Sequence, residues 1–216
     1  MGRLTVGYTS LIHYPFFRDA LRLYRARCPG VEVILRDLVT IEQMRQPHTN
    51  TLDISFATYA SFAITSLELE QLAHECILRE PVVAVVSTDH RLAGHGPIPL
   101  AALANEQWVW FAHPFDPTTY DYMTRLFEQA GFRPIVAQEV SQAQILIDLV
   151  AAGMGVSVTP RSAAREAAGG VAYLAFAEPT PMVEFDVVWR RADTSPLVQA
   201  FLGVVRDIAS GAAPFA

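Results

Sequence analysis

The sequence predicts an α/β fold of two hinged lobes, each built on its own largely parallel sheet. Strand and helix patterns alternate through the first 60 residues, which is typical of an α/β layer. A second strand, helix and strand unit occupies residues 139–160, and a crossover helix of this kind usually joins parallel strands. One predicted strand leaves the first group of strands and helices near Pro81, and another returns to that group near Glu184. We therefore expect a first lobe at residues 1–80 plus 183–216, and a second at 81–182.

The first lobe contains three strand patterns and one well-marked helix. Apolar and β-branched runs predict strands at residues 4–8, 31–37 and 52–57. Between the first two strands, apolar residues recur at helical spacing over residues 14–27, and a Pro-Gly pair ends the run. These elements form the strand and helix alternation of an α/β layer.

In the second lobe, Pro81 opens a continuous β-branched run at residues 82–87, which is typical of a strand buried on both faces. Trp108 and Trp110 lie two apart on a predicted strand at 107–111, so they share one face and are expected in the core or at an interface. Phe111 takes the opposite face and is expected to border a cleft.

The stretch 139–160 and the C-terminal helix carry clear boundary signals. Ser141 is a candidate cap for a helix that ends at Gly153 and Gly155, and residues 156–159 alternate as a strand that Pro160 stops. Near the C-terminus, Ser195 supplies a cap for a last helix, with a proline in its first turn.

Composition excludes several classes of function. The net charge of −6 and the pI near 5.5 argue against direct binding to a phosphate backbone, which needs clustered Lys and Arg. The two cysteines, Cys28 and Cys76, lack the spacing of metal-ligand pairs, so we expect no metal, no cofactor and a reducing cytoplasmic setting. No apolar run reaches the roughly 18 residues of a membrane span, and no export leader opens the chain.

Polar side chains follow the predicted strands of both lobes. In α/β sheets, ligands collect at the carboxyl ends of strands, beside helix N-termini whose free N–H groups favour anions. A small carboxylate is therefore the expected guest, held without Lys or Arg. The candidate contacts are Ser10, Leu11, Thr40, Thr58, Tyr59, Phe111, Thr118, Thr119 and Gln142.

Six segments, in this order and spacing, resemble one family over nearly the full chain, from about residue 2 to about 208. They are GRLTVGY, LYRARCPGVEVIL, LDISFA, PVVAVVSTDHRLA, LVAAGMGVSVTPRSA and VVWRR. Together they are similar to the effector-binding domain of LysR-type transcriptional regulators. The segments around Thr40 and Ser141 resemble most the members that sense intermediates of aromatic catabolism.

The resemblance implies a fold of the periplasmic-binding-protein type II kind, with two Rossmann-like lobes joined by two crossover strands and an effector between them. It also implies a homodimer or homotetramer, and DNA contact only through an N-terminal winged helix-turn-helix that this chain lacks. By position it assigns Ser10 and Thr40 to the first lobe's contacts and Thr118 and Thr119 to an anion contact. Some aromatic-acid sensors have an arginine where this chain has Thr58 and Tyr59.

Other interpretations remain open on the residues alone. Ser10, Thr40, Thr118 and Thr119 are also explained as helix caps. A solute-binding protein of a transporter would share the fold, as would an enzyme built on two such lobes. The sequence lacks a Gly-x-Ser-x-Gly or Ser-x-x-Lys signature, and Gly153-Met154-Gly155 is too short for a dinucleotide loop, so no catalytic residues are assigned.

Overall fold

The computed structural model describes residues 2–8, 15–38, 43, 51–58, 70–115, 117–166, 169–180 and 182–211. It divides into two compact units: unit 1 comprises Met1–Arg79 and Glu184–Ala216, and unit 2 comprises Glu80–Val183. The strands are β1 (Gly2–Tyr8), β2 (Val31–Asp37), β3 (Ile54–Thr58), β4 (Leu72–Ser87), β5 (Gln107–Phe111), β6 (Ile135–Val140), β7 (Ser157–Pro160), β8 (Val171–Leu174) and β9 (Met182–Arg190). The helices are α1 (Pro15–Arg27), α2 (Pro117–Gln129), α3 (Ala143–Ala151) and α4 (Pro196–Ala209), with 3-10 turns at Leu100–Leu103, His113–Phe115 and Arg161–Glu166.

Both units combine parallel strands with an antiparallel one. In unit 1, β2, β1 and β3 are parallel and β9 is antiparallel to β3. In unit 2, β5 and β6 are parallel, whereas β4 is antiparallel to both β7 and β8. The expected parallel strands are present, but the sheets are more mixed than predicted because the connecting strands β4 and β9 enter them in the opposite direction.

The core of unit 1 is aromatic and lies between the sheet and two helices. Phe17 of α1 packs edge-on against Phe56 of β3 at 5.0 Å between ring centroids, and Tyr24 packs against Phe201 of α4 at 5.0 Å. All four side chains are fully buried. The Tyr24 hydroxyl donates a hydrogen bond to the Leu197 carbonyl at 3.2 Å, so its polar end is satisfied.

The core of unit 2 centres on the two tryptophans of β5. Trp108 and Trp110 are both buried, with ring centroids 5.8 Å apart, and both pack on Phe127 of α2 at 4.8 and 5.4 Å. The Trp108 indole N–H donates to the Leu103 carbonyl at 3.3 Å. The prediction that these tryptophans share a face and lie in the core is confirmed.

The strand expected to begin at Pro81 begins at Leu72 instead, and β4 is one strand of 16 residues. Proline interrupts a ladder because it has no N–H to donate. Here Val82 is the first β4 residue in register with β7, so Pro81 lies just outside the pairing in unit 2. The strand therefore passes through the proline.

The stretch 139–160 folds as predicted in outline. Gly153 adopts a positive φ of 75° at the end of α3. The first helical residue is Ala143 and Gln142 holds the N-cap position, so the expected capping role of Ser141 is wrong. β7 also continues through Pro160 rather than stopping before it.

The strands on either side of α3 share a direction, but β5 lies between them. β6 pairs with β5, and Val156, just before β7, forms a parallel bridge to Trp108 on β5. The Val109 N–H donates to the Val156 carbonyl at 3.0 Å, and the Val156 N–H donates to the Gln107 carbonyl at 2.8 Å. Helix α3 therefore connects two strands, β6 and β7, that are not neighbours, because β5 lies between them.

Among the helices in the described part of the chain, none combines the length and apolar character required to cross a bilayer.

Candidate functional site

The predicted contact residues of unit 1 lie mostly beyond the part of the chain that the structure describes. Ser10, Leu11, Thr40 and Tyr59 fall outside the described residues. The backbone of Thr58 forms the last position of β3, where it pairs with Phe185 of β9. The structure therefore tests none of these five contacts.

The carboxyl ends of β1 and β2 meet at adjacent positions in unit 1. Tyr8 pairs with Asp37, and the Leu38 N–H donates to the Tyr8 carbonyl at 3.0 Å. Partial burial raises the pKa of the Tyr8 phenol, and the neighbouring Asp37 carboxylate raises it further. The neutral phenol is the stable form at this strand end.

Gln43 is a polar residue at this edge that is not among the predicted contacts. Its side chain is fully buried, and its Nε2 donates to the Leu38 carbonyl at 2.9 Å. Its Oε1 has no hydrogen-bond partner among the described residues. Gly7 makes room for it, since a Cβ there would lie 2.9 Å from Oε1 and 2.6 Å from Leu52 Cδ1. No local signal in the sequence indicates this long-range packing.

In unit 2, the carboxyl ends of β5 and β6 lie side by side, and a helix begins soon after each. Phe111 pairs with Val140, and the Ala112 N–H donates to the Val140 carbonyl at 3.0 Å. α2 begins at Pro117 and α3 at Ala143. The first-turn N–H groups of a helix have no partner within the helix and carry positive partial charge. The backbone of Thr118 and Thr119 supplies such groups in α2.

Phe111 and Gln142 are the predicted unit 2 contacts whose side chains the structure describes. Phe111 is partly buried and packs against the cluster that contains Val109 and Val140, on the face opposite the tryptophans. Gln142 is exposed, and its side chain makes no capping hydrogen bond to α3. Its amide is therefore not used by the helix that it precedes.

His113 lies beside the start of α2 and contacts its first two turns. Its ring packs edge-on against Tyr120 at 5.1 Å, and its Nε2 lies 3.5 Å from Asp121 Oδ1. Both partners of this ion pair are more than half exposed, so it contributes little energy. The histidine packs on α2 and reaches solvent.

The sequence and the fold match known proteins over nearly the whole chain. Residues 1–210 match the family model of the LysR substrate binding domain. The uncharacterized HTH-type transcriptional regulator YnfL of Escherichia coli is 32% identical over 93% of this chain, and IlvR of Caulobacter vibrioides is 32% identical over 99%. The chain spans 66% and 69% of their lengths.

Solved structures show the same fold at lower identity. The effector-binding domain of BenM with its effector benzoate has a TM-score of 0.82 at 20% identity, covering 99% of this chain and 96% of that one. The effector-binding domain of QuiR in complex with shikimate has a TM-score of 0.82 at 16% identity, covering 97% and 98%. These neighbours have the two-lobed α/β architecture that the sequence predicts. The chain therefore belongs to the LysR substrate-binding family and is an effector-binding domain of a LysR-type regulator.

Proposed function

We propose that this chain senses a small metabolite that carries a carboxylate, and that an aromatic acid is the first class to test. The observation that carries the proposal is the pairing of two helix starts with two adjacent strand ends in unit 2. Thr118 and Thr119 follow β5, and Gln142 follows β6.

The chemistry of these strand ends favours an anion over a neutral or cationic guest. Free first-turn amides concentrate donors at the start of a helix and attract negative charge without a lysine or arginine. The exposed amide of Gln142 adds a neutral donor or acceptor beside them. Phe111, partly buried at the end of β5, offers an apolar surface for a ring.

The proposal includes contacts from both units. In unit 1 these are Ser10, Leu11, Thr40, Thr58 and Tyr59, taken from the resemblance and from their positions after strands. The hydroxyl groups of this set would donate hydrogen bonds to a carboxylate. In unit 2 they are Phe111, Thr118, Thr119 and Gln142.

The ligands named for two proteins of the same fold support the choice of class. BenM is described with benzoate and QuiR with shikimate, and both ligands are six-membered-ring carboxylates. At 20% and 16% identity these structures support the fold, and the ligand class comes to this chain only as part of the proposal.

The proposed output is transcriptional. Full-length CbnR, which shares this fold, has been described in complex with its target DNA. The acidic net charge of this chain suits a sensing part that leaves DNA binding to another domain. We propose a homodimer or homotetramer in which the effector favours one conformation, by an amount set by its differential affinity for the two states.

Thermal-shift screening of the purified chain against small carboxylates tests the ligand class. Benzoate, shikimate and muconate form the first panel, and benzamide is the uncharged control. A ligand that binds the folded state alone raises the unfolding temperature with concentration. A shift with benzamide equal to that with benzoate would contradict carboxylate recognition.

Calorimetry on substituted chains then tests the contacts. Ser10→Ala and Thr40→Ala each remove one hydrogen bond to a charged group, so affinity should fall roughly tenfold to a hundredfold. Ser210→Ala, at the end of α4 and outside the proposed contacts, is the matched control and should bind normally. Unchanged affinity in both test variants would remove the unit 1 assignment.

A further inference from the structure

Four side chains that commonly bind metals share one face of two neighbouring strands in unit 1. His74 and Cys76 alternate on β4, and Glu184 and Asp186 alternate on β9, its neighbour in the sheet. Residues two apart on a strand point to the same side. One ligand atom from each of Cys76, Glu184 and Asp186 lies within 4.8 Å of the others.

Asp186 is the central member of this cluster. Its side chain is 1% exposed, and its Oδ2 lies 2.7 Å from His74 Nδ1. Its Oδ1 is buried and has no hydrogen-bond partner among the described residues. Burying a carboxylate oxygen is costly unless it is paired, hydrogen-bonded or bound to a metal. Oδ1 is thus a buried carboxylate oxygen without a hydrogen-bond partner among the described residues, and it belongs to a side chain within this group of metal-binding residues.

The charges of the cluster favour a cation. Two of its members, Glu184 and Asp186, are carboxyl groups, and one ligand atom of each lies within 4.8 Å of the other and of the Cys76 sulfur. A bound divalent ion favours the ionised forms of the carboxyl and thiol groups that coordinate it.

We propose that Cys76, Glu184 and Asp186 bind a divalent transition-metal ion, with Zn²⁺ as the first candidate. One thiolate and two carboxylates form a donor set that this ion accepts, and its fourth position would hold water. Cys76 is exposed and Glu184 is partly exposed, so the site has access to solvent. Binding releases the thiol proton of Cys76.

The ligand spacing and the neighbouring charges are compatible with this ion. Zn–S and Zn–O bonds of about 2.3 and 2.1 Å place tetrahedral ligand atoms about 3.5 Å apart. The ligand atoms, which now lie within 4.8 Å of one another, would therefore have to approach by roughly 1 Å when the ion binds. Arg79 pairs with Oε1 of Glu184. A carboxylate has a second oxygen that can bind a metal. His74 holds the other oxygen of Asp186 and acts as a positioning residue, since such partners orient metal-bound groups.

Titration of the full chain with Co²⁺ in a non-chelating reducing buffer tests the thiolate ligand. Cobalt bound to a thiolate gives a sulfur-to-metal charge-transfer absorption. We expect this absorption in the wild type and in Cys28→Ser, which removes the other cysteine, and we expect its loss in Cys76→Ser. No such absorption in the wild type, or its loss in Cys28→Ser with retention in Cys76→Ser, would overturn the proposal.

Competition for Zn²⁺ with a chromophoric chelator tests the carboxylates. Glu184→Gln and Asp186→Asn should each weaken binding by at least about tenfold, and His74→Gln by about tenfold to a hundredfold through its effect on Asp186. Far-UV circular dichroism checks that each variant folds, and Glu184→Gln keeps the test valid if Asp186→Asn does not. Unchanged Zn²⁺ affinity in folded Glu184→Gln and His74→Gln would overturn the site.

Discussion

Ser162 donates two hydrogen bonds to the carboxylate of Glu80, one from its backbone N–H and one from its hydroxyl, each at 2.6 Å. Glu80 is 7% exposed and lies in β4, while Ser162 is the second residue of the 3-10 turn after β7. The pair ties these two segments of unit 2 together at a buried position.

Replacing Glu80 with glutamine should lower the free energy of unfolding by about 1–3 kcal/mol, because hydrogen bonds to a charged acceptor are lost in a buried setting. Ser162→Ala should cost less, since the backbone hydrogen bond remains. Urea unfolding measures both. Glu178→Gln is the control, because Glu178 is exposed and accepts a longer bond of 3.2 Å from the Leu100 N–H. Equal costs for Glu80→Gln and Glu178→Gln would contradict the prediction.

Gly155 should tolerate no side chain. Its φ is 154°, and a Cβ there would lie 2.6 Å from the Gln107 carbonyl oxygen, which is backbone and cannot move aside easily. Gly155→Ala should therefore destabilise the chain by about 2 kcal/mol or more. Thermal unfolding followed by circular dichroism measures the loss.

Gly153 provides the matched control, because it also has a positive φ but has nothing within 4 Å of an added Cβ. Gly153→Ala should cost only about 1 kcal/mol, the usual penalty for this conformation. If Gly153→Ala is as damaging as Gly155→Ala, close contact with Gln107 is not the cause.

The tryptophan cluster of unit 2 should be the most sensitive part of its core. Trp108 is fully buried and packs on Trp110, Phe127 and Phe132. Trp108→Ala should cost about 3–5 kcal/mol because it leaves a large cavity. Chemical denaturation measures the change. Tyr122→Ala, at a position 42% exposed on α2, is the control and should change stability by less than about 1 kcal/mol.

The ion pair between Glu75 and Arg206 should contribute stability only above mildly acidic pH. Arg206 Nε donates to Glu75 Oε2 at 2.8 Å, and this hydrogen bond lowers the pKa of Glu75 below its usual 4.5. The folded form therefore binds its proton less readily than the unfolded form. The stabilisation is fully present above pH 4.5 and is lost as the pH falls through the folded pKa.

Glu75→Gln should lower the free energy of unfolding by about 0.5 kcal/mol at neutral pH, the usual value for an exposed pair. The difference from wild type should shrink below pH 4.5. Urea unfolding at several pH values measures it, and Glu75→Gln in an Arg206→Gln background should have no such pH dependence. A difference that grows on acidification would have the wrong sign.

Local pattern sufficed for most of the strands and helices. The last helix, with its proline in the first turn, and the same-face placement of Trp108 and Trp110 follow from local pattern alone, and both are confirmed. The early start of β4 at Leu72 was missed because charged residues blur its alternation. Glu80, for example, is a charged residue at a buried strand position, where the alternating pattern predicts an apolar side chain.

Long-range pairing could not be predicted from one sequence. His74 and Asp186 are separated by 112 positions, so no local pattern relates them. The expectation of no metal site was therefore based only on the spacing of the two cysteines. Each half of the cluster has a short signal, His-x-Cys and Glu-x-Asp, that gains meaning only when β4 and β9 become neighbours. Gln43 beside Gly7 is a second case, since the packing joins distant segments.

The positions of the tryptophans allow the unfolding of each unit to be followed separately by intrinsic fluorescence. Of the three tryptophans, Trp108 and Trp110 belong to unit 2 and Trp189 to unit 1. Emission from a Trp189→Phe chain would therefore follow only the melting of unit 2, and emission from a chain with phenylalanine at both other positions would follow only unit 1. Comparing the two thermal unfolding curves would show whether unit 1 and unit 2 unfold together or in succession.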